Sequence, residues 1–314
     1  MKVSKIFNYI FATIGFLYVA SLCVLLAIYL IIPKKNHTYF FATTGSFVKQ
    51  CVHDTSHTTN NEPCICEKFR THLKLAYKMG NTPPSDTLYT ENICGFTVKF
   101  PSYSMIHSLF DEIFVHKIYG FTAQTDTPFI IDAGSNIGMS ICYFKMIYPN
   151  AKILGFEPSK QCFAILQDTV KTNNLSDVEL VKKGLSNKEE TVTFYDAGPT
   201  KGTLTPEGEC STYASETIET TLLSKYINQK VDLLKMDIEG AETGVFDDLF
   251  KSKKIAMIDQ IIFEFHYTPG TSKLSEILNI LEESGFVYII KNHVTTPFAK
   301  VDSRQYFMVY AYRA

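Results

Sequence analysis

The chain has 314 residues, 46% hydrophobic and 20% charged, with 12 prolines and a formal net charge of −2. These values exclude a disordered, collagen-like or disulfide-only chain and predict at least one sizeable core. Lys2, Lys5, Lys34 and Lys35 all precede the first acid, Asp54, so the remainder is more acidic still and carries no basic footprint for nucleic acid.

Residues 6–32 hold no charged side chain, and Asn8 is their only strongly polar one. About 20 apolar residues cross a bilayer, whereas the apolar core of a cleavable signal is about 7–15 residues long. The 27-residue run is therefore expected to be an uncleaved single-pass transmembrane anchor. Lysines on both flanks leave its orientation open. Residues 36–95 are rich in Thr, Asn, His and Pro and lack sustained apolar periodicity, which reads as a stem or loosely folded extension. Cys51, Cys64, Cys66 and Cys94 fall in or beside this stem. Such a cluster suits disulfides and hence a lumenal catalytic side, in the Golgi or endoplasmic reticulum. Cys64-Ile-Cys66 has the wrong spacing for a zinc knuckle.

From residue 96 onward, apolar runs of strand length alternate with helical periodicity, the pattern of a largely parallel sheet covered on both faces. Ile106, Phe110, Ile113, Phe114 and Ile118 share one face of a leading helix. Strands are expected at 129–132, 152–157, 178–182, 231–237 and 255–265, with a peripheral run at 191–195. Helices fall between the core strands, including one around 243–250 and one striped by Leu274, Ile277, Leu278 and Leu281. Two last runs, 286–290 and 306–312, have no helix between them and are most simply antiparallel neighbours.

The turn Asp132-Ala-Gly134-Ser-Asn136-Ile-Gly138 joins a strand to a helix, and Glu157 ends the next strand. This is nucleotide-binding logic: glycines admit a ligand to the backbone, the helix N-terminus offers N–H groups, and a strand-end acid accepts ribose hydroxyls. A dinucleotide fingerprint would need glycines at 134, 136 and 139, but 136 is Asn and 139 is Met, which disfavours NAD and a dehydrogenase.

On these residues, with Gly155-Phe-Glu-Pro158, Leu233-Leu-Lys-Met-Asp-Ile-Glu-Gly-Ala-Glu242 and Ile262-Phe-Glu-Phe-His266, the chain resembles the FkbM family of class I S-adenosylmethionine-dependent methyltransferases over roughly residues 96–312. The resemblance implies a Rossmann-like seven-stranded α/β sheet with an antiparallel last strand, preceded here by the anchor (1–35) and extension (36–95). It implies S-adenosyl-L-methionine as cofactor, with Asp132, Gly134, Asn136 and Gly138 around its methionine end, Glu157 on its ribose and residues 183–186 beside adenine. O-methylation of a glycan, lipid or small-molecule hydroxyl is the expected activity. The alternative is a non-catalytic cofactor-binding or scaffold protein that retains the fold.

A hydroxyl acceptor benefits from a base, and Asp237, Glu264 and His266 stand at strand ends on the cofactor side. Asp237 is the first choice for the site wall. Glu239 and Glu242 are read as caps for the helix that follows, and Lys235 as a buried partner for one of these acids. No metal site is assigned, because strand spacing alone does not bring Asp237, Glu264 and His266 together.

Overall fold

The computed structural model describes residues 63–83, 85–196, 202–203, 214–267, 273–292 and 305–313. The expected membrane span and most of the expected stem lie outside the described residues. Among the described residues no helix is long and apolar enough to cross a membrane.

Helix α1 (Ile65–Asn81) and the hairpin of β1 (Tyr89–Ile93) and β2 (Phe96–Phe100) come first, then α2 (Tyr103–Phe110) and a π-helical turn, Asp111–Val115. A seven-stranded sheet follows, built from β3 (Phe129–Ala133), β4 (Lys152–Phe156), β5 (Val178–Val181), β10 (Val231–Met236), β11 (Ile258–Tyr267), β12 (Phe286–Asn292) and β13 (Gln305–Arg313). Their spatial order is β12-β13-β11-β10-β3-β4-β5. β13 is antiparallel to both β11 and β12, whereas β10, β11, β3, β4 and β5 pair in parallel. The Rossmann-like sheet and the antiparallel closing strand agree with the sequence. Helices α3 (Met139–Ile147), α4 (Lys160–Thr172), α5 (Glu242–Lys251) and α6 (Leu274–Glu283) connect the strands. The chain also forms a small side sheet from β6 (Gly184–Leu185), β7 (Thr191–Asp196), β8 (Gly202–Thr203) and β9 (Ala214–Thr221), in the order β6-β9-β7-β8.

Strand residues alternate between two apolar clusters, as a two-faced sheet requires. Ile130, Leu233 and Ile262 face the layer containing α2 and α3, while Ile131, Leu234, Ile261 and Phe263 face the layer containing α5 and α6.

The described end of the expected extension is regular structure. In α1, Leu75 and Ala76 are fully or almost fully buried, and Leu75, Ile93 and Val98 join the core that contains Ile130. The inward face of α1 also carries Lys68, Thr71 and His72, all buried, and these polar residues mask its helical stripe in the sequence. His72 earns its place through a 2.7 Å contact from Nδ1 to Asp111 Oδ1, which ties α1 to the π-helical turn. A hairpin turn at Cys94 and Gly95, with φ of 49° and 91°, joins β1 to β2 in the two-residue geometry that favours left-handed backbone. Cys64 and Cys94 are both free thiols. The side chains of Cys51 and Cys66 lie outside the described residues.

Candidate active site

Strands β3 and β10 are adjacent and parallel, with Asp132 opposite Lys235 and Ala133 opposite Met236. Helical connections leave this pair toward opposite sides of the sheet, so a crevice forms beyond their carboxyl ends. The two loops touch there. Asp237 N–H donates to Ala133 O at 3.0 Å, and a Cβ added to Gly134 would lie 1.8 Å from Asp237 O. Gly134 therefore has to be glycine because another backbone occupies the space of a side chain, and its φ of +83° adds to that requirement. Gly138 begins α3 at φ +94°, and its Cβ would press on Leu166 and Thr169. Both glycines let the loop close against the protein, so packing alone accounts for their identity.

Asp132, expected at the methionine end of the cofactor, is placed inside the protein. Its side chain is fully buried, 3.1 Å from Lys235 Nζ through Oδ1, and it accepts a 2.6 Å bond from Ser140 Oγ through Oδ2. Lys235 also donates to Gly134 O at 2.7 Å and lies over the Tyr119 ring at 5.0 Å. The lysine thus pairs with the acid on the neighbouring strand, not with a strand-end acid, and the pair pins the glycine loop.

Asn136 and Glu157 remain ligand-facing candidates. Asn136 sits in the left-handed region at φ 49°, and its Oδ1 is buried with no hydrogen-bond partner. A buried amide oxygen without a donor is destabilising until one arrives, so this atom fits a ligand that brings an N–H or O–H group. Glu157 accepts N–H bonds from Asn136 and Ser159, both at 2.9 Å. A carboxylate has about four acceptor positions, leaving capacity for ribose hydroxyls. Burial, opposed by those two backbone bonds, pushes the Glu157 pKa up to about 7. Of the residues expected beside adenine, Gly184 and Leu185 form β6 and pair with β9, while Lys183 pairs with Glu219 at 3.1 Å.

At the ends of β10 and β11, the expected catalytic residues converge. His266 is 5% exposed; its Nδ1 lies 3.0 Å from Oε1 of the buried Glu242, which also accepts Gly240 N–H at 3.0 Å. The opposite ring nitrogen, Nε2, faces Glu239 at 3.4 Å, Glu264 at 3.6 Å and Asp237 at 3.9 Å. Desolvation works to lower the His266 pKa, but the Glu242 bond and the charges of Glu242, Glu239 and Asp237 outweigh it and raise the value to about 9. Burial, then the Asp237 charge, raises Glu264 to about 8. The sequence reading of Glu239 and Glu242 as helix caps therefore misses their shared histidine. Glu239 also occupies the left-handed region at φ 58°, which disfavours a non-glycine residue by roughly 1–2 kcal/mol.

Two further residues escape the sequence reading. Tyr119 is buried and donates from its hydroxyl to Asp237 Oδ2 at 3.3 Å. Glu112, on the π-helical turn, is exposed; desolvation and then the charges of Asp237 and Asp111 push its pKa up to about 7. The Asp111-Glu112 pair interrupting an apolar helix was the available signal. A separate open depression between α5 and α6, about 610 Å³ and lined by Asn187, Asp247 and Asn279 among others, contains none of these groups.

The sheet order, the loop crossing at its switch point and the strand-end acids define a class I methyltransferase-type α/β protein. Residues 132–288 match the model of the methyltransferase FkbM domain, and the chain belongs to that family. It is 30% identical over 221 residues to "Methyltransferase 1" of Beauveria bassiana (strain ARSEF 2860), covering 63% of this chain and 86% of that protein. It is also 30% identical over 212 residues to "Methyltransferase sdnD" of Sordaria araneosa, covering 57% and 81%. Among solved structures, the methyltransferase FkbM from Methylobacillus flagellatus is similar at TM-score 0.42 and 12% identity, with 67% of this chain and 54% of that one covered.

Proposed function

We propose that this protein is an S-adenosylmethionine-dependent O-methyltransferase, anchored in a membrane by residues 6–32, that acts on a hydroxyl of a glycan, lipid or small molecule facing a secretory lumen. Methyl transfer and the cofactor class follow from family membership. The observation that supports a hydroxyl acceptor is the gathering of Asp237, Glu264 and His266 at one edge of the crevice.

S-adenosylmethionine, when bound, supplies a sulfonium-activated methyl group. Asn136 and Glu157 would hold the donor, the first through its unpaired amide oxygen and the second through its remaining acceptor positions. The Lys235–Asp132 pair keeps the glycine loop in place beneath it. Transfer of that methyl to a hydroxyl would break its bond to sulfur, leaving a neutral thioether, and would require the hydroxyl to lose its proton, which Asp237 is placed to receive. Tyr119 fixes one oxygen of that carboxylate. The acids around His266 favour its charged form, so it balances their charge and leaves proton acceptance to Asp237. Precise placement supplies most of the acceleration in such a displacement.

The test is transfer of labelled methyl groups from S-adenosylmethionine to a panel of glycans, lipids, small alcohols, amines and thiols by the full chain in detergent. Labelled ether product from wild type, lost at least about 100-fold in Asp237→Asn, is the expected result. Labelling only of amines or thiols would refute the O-methylation reading.

A further inference from the structure

The geometry points to a divalent cation site formed by Asp237, Glu239 and His266, beside Glu264, at the acceptor end of the crevice. This deepens the methyltransferase reading and rests on it for the acceptor's position.

The donor atoms of Asp237, Glu239 and His266 lie within 4.8 Å of one another. Around a cation with bonds of about 2.1 Å, neighbouring octahedral donors stand about 3.0 Å apart and opposite ones about 4.2 Å. The separations from His266 Nε2 to the carboxylates, 3.4 and 3.9 Å, fall inside that interval. The two carboxylates lie within 4.8 Å of each other, at most about half an ångström beyond that interval, so a small side-chain adjustment brings all three onto one ion.

The histidine is prepared for this role independently of the carboxylates facing it. Its ring is 95% removed from solvent by the fold, and Glu242, only 1% exposed, holds Nδ1 from behind. A carboxylate behind a ligating histidine fixes the tautomer and raises the basicity of the other nitrogen. Glu242 is itself anchored by the Gly240 N–H, and Glu239, at φ 58°, brings a carboxylate oxygen to 3.4 Å from Nε2. Asp237, Glu239, Glu242 and Glu264 all lie around the imidazole, and a divalent ion beside them would take the neutral imidazole as a ligand.

One nitrogen with carboxylate oxygens suits Mn²⁺ or Mg²⁺ more than a thiolate-preferring metal. Three protein ligands leave coordination positions for oxygens of the acceptor. A hydroxyl bound there becomes more acidic, and Glu264 stands 3.6 Å from His266 Nε2, outside the proposed ligand set and placed to take the proton. In that loaded state Asp237 is a ligand, and the acceptor's proton passes to Glu264, whose ionised form the divalent charge beside it favours. The substrate class this favours is an acceptor with two neighbouring oxygens, such as a vicinal diol or hydroxy acid.

The experiment titrates Mn²⁺ alone into chelator-treated full chain in detergent and follows the free-ion signal by electron paramagnetic resonance. One Mn²⁺ per chain is expected, with nitrogen coupling in the bound spectrum that disappears in His266→Ala. Glu242→Gln should weaken uptake by about 10- to 100-fold, and Glu239→Gln by at least about tenfold. Should His266→Ala fail to fold by circular dichroism, the partly exposed Glu239→Gln decides the matter. Absence of stoichiometric uptake, absence of nitrogen coupling, or indifference to Glu239→Gln would each overturn the cation site. Calorimetric titration of the donor on the same samples separates the two readings: intact donor binding without Mn²⁺ uptake removes only the cation, whereas lost donor binding removes the donor reading.

Discussion

Replacing Lys235 with Met tests how the glycine loop is held. The ammonium is 2% exposed and its partner carboxylate on Asp132 is fully buried, 3.1 Å away. Removing the lysine leaves Asp132 Oδ1 without its charged partner while Oδ2 keeps the Ser140 hydroxyl, and frees Gly134 O from its 2.7 Å bond. Leaving one member of a buried ion pair uncompensated destabilises proteins by about 3–5 kcal/mol. For a folded unit of this size, that corresponds to a melting temperature lower by roughly 6–20 °C. The assay is chemical denaturation followed by circular dichroism, on Lys235→Met, Asp132→Asn and the double variant. The double variant should recover most of the loss, since Asn still accepts from Ser140 and no buried charge remains, giving a coupling energy above about 2 kcal/mol. A single-variant loss under about 1 kcal/mol, or simple additivity, would refute the pairing as the device that holds the loop.

Gly134→Ala should prevent the loops after β3 and β10 from closing, because its Cβ would meet Asp237 O at 1.8 Å; unchanged donor binding by calorimetry would contradict this. Donor affinity should rise with pH across roughly 6–8, because the ionised Glu157 is the better acceptor and its pKa in the empty site is about 7. The same raised value means that, without donor, Glu157 favours the fold less as pH rises from about 4.5 through about 7; a Glu157→Gln variant that keeps the full pH dependence of donor affinity would sink the assignment. Leu75→Ala should destabilise the folded unit by about 2–5 kcal/mol, since α1 is part of the core. A loss near zero in thermal unfolding would return that helix to the status of a loose extension.

The central sheet was legible because buried parallel strands such as 129–133 and 231–236 read as nearly continuous apolar runs. The closing pair was legible because no helix separates β12 from β13. Helix α1 was hidden by Lys68, Thr71 and His72 on its inward face. Strand β9 was hidden because Ala214–Thr221 presents Thr and Glu around Ile218. The candidate site was legible in its members more than in its wiring. Asp237, Glu264 and His266 could be named from strand ends, but their convergence depends on the parallel register that sets Met236 beside Phe263. The Lys235–Asp132 pair likewise requires the register of β10 against β3. Tyr119 reaches Asp237 across 118 positions of sequence, a separation that no local pattern spans.

Calorimetric titration of S-adenosylmethionine into the full chain in detergent, with NAD as the control, tests the central claim most directly. The account expects one donor molecule bound per chain in the micromolar range, weakened roughly 10-fold or more in Glu157→Ala through lost charge-assisted hydrogen bonds, and no NAD binding. NAD binding without donor binding, or donor affinity indifferent to Glu157→Ala, would contradict it.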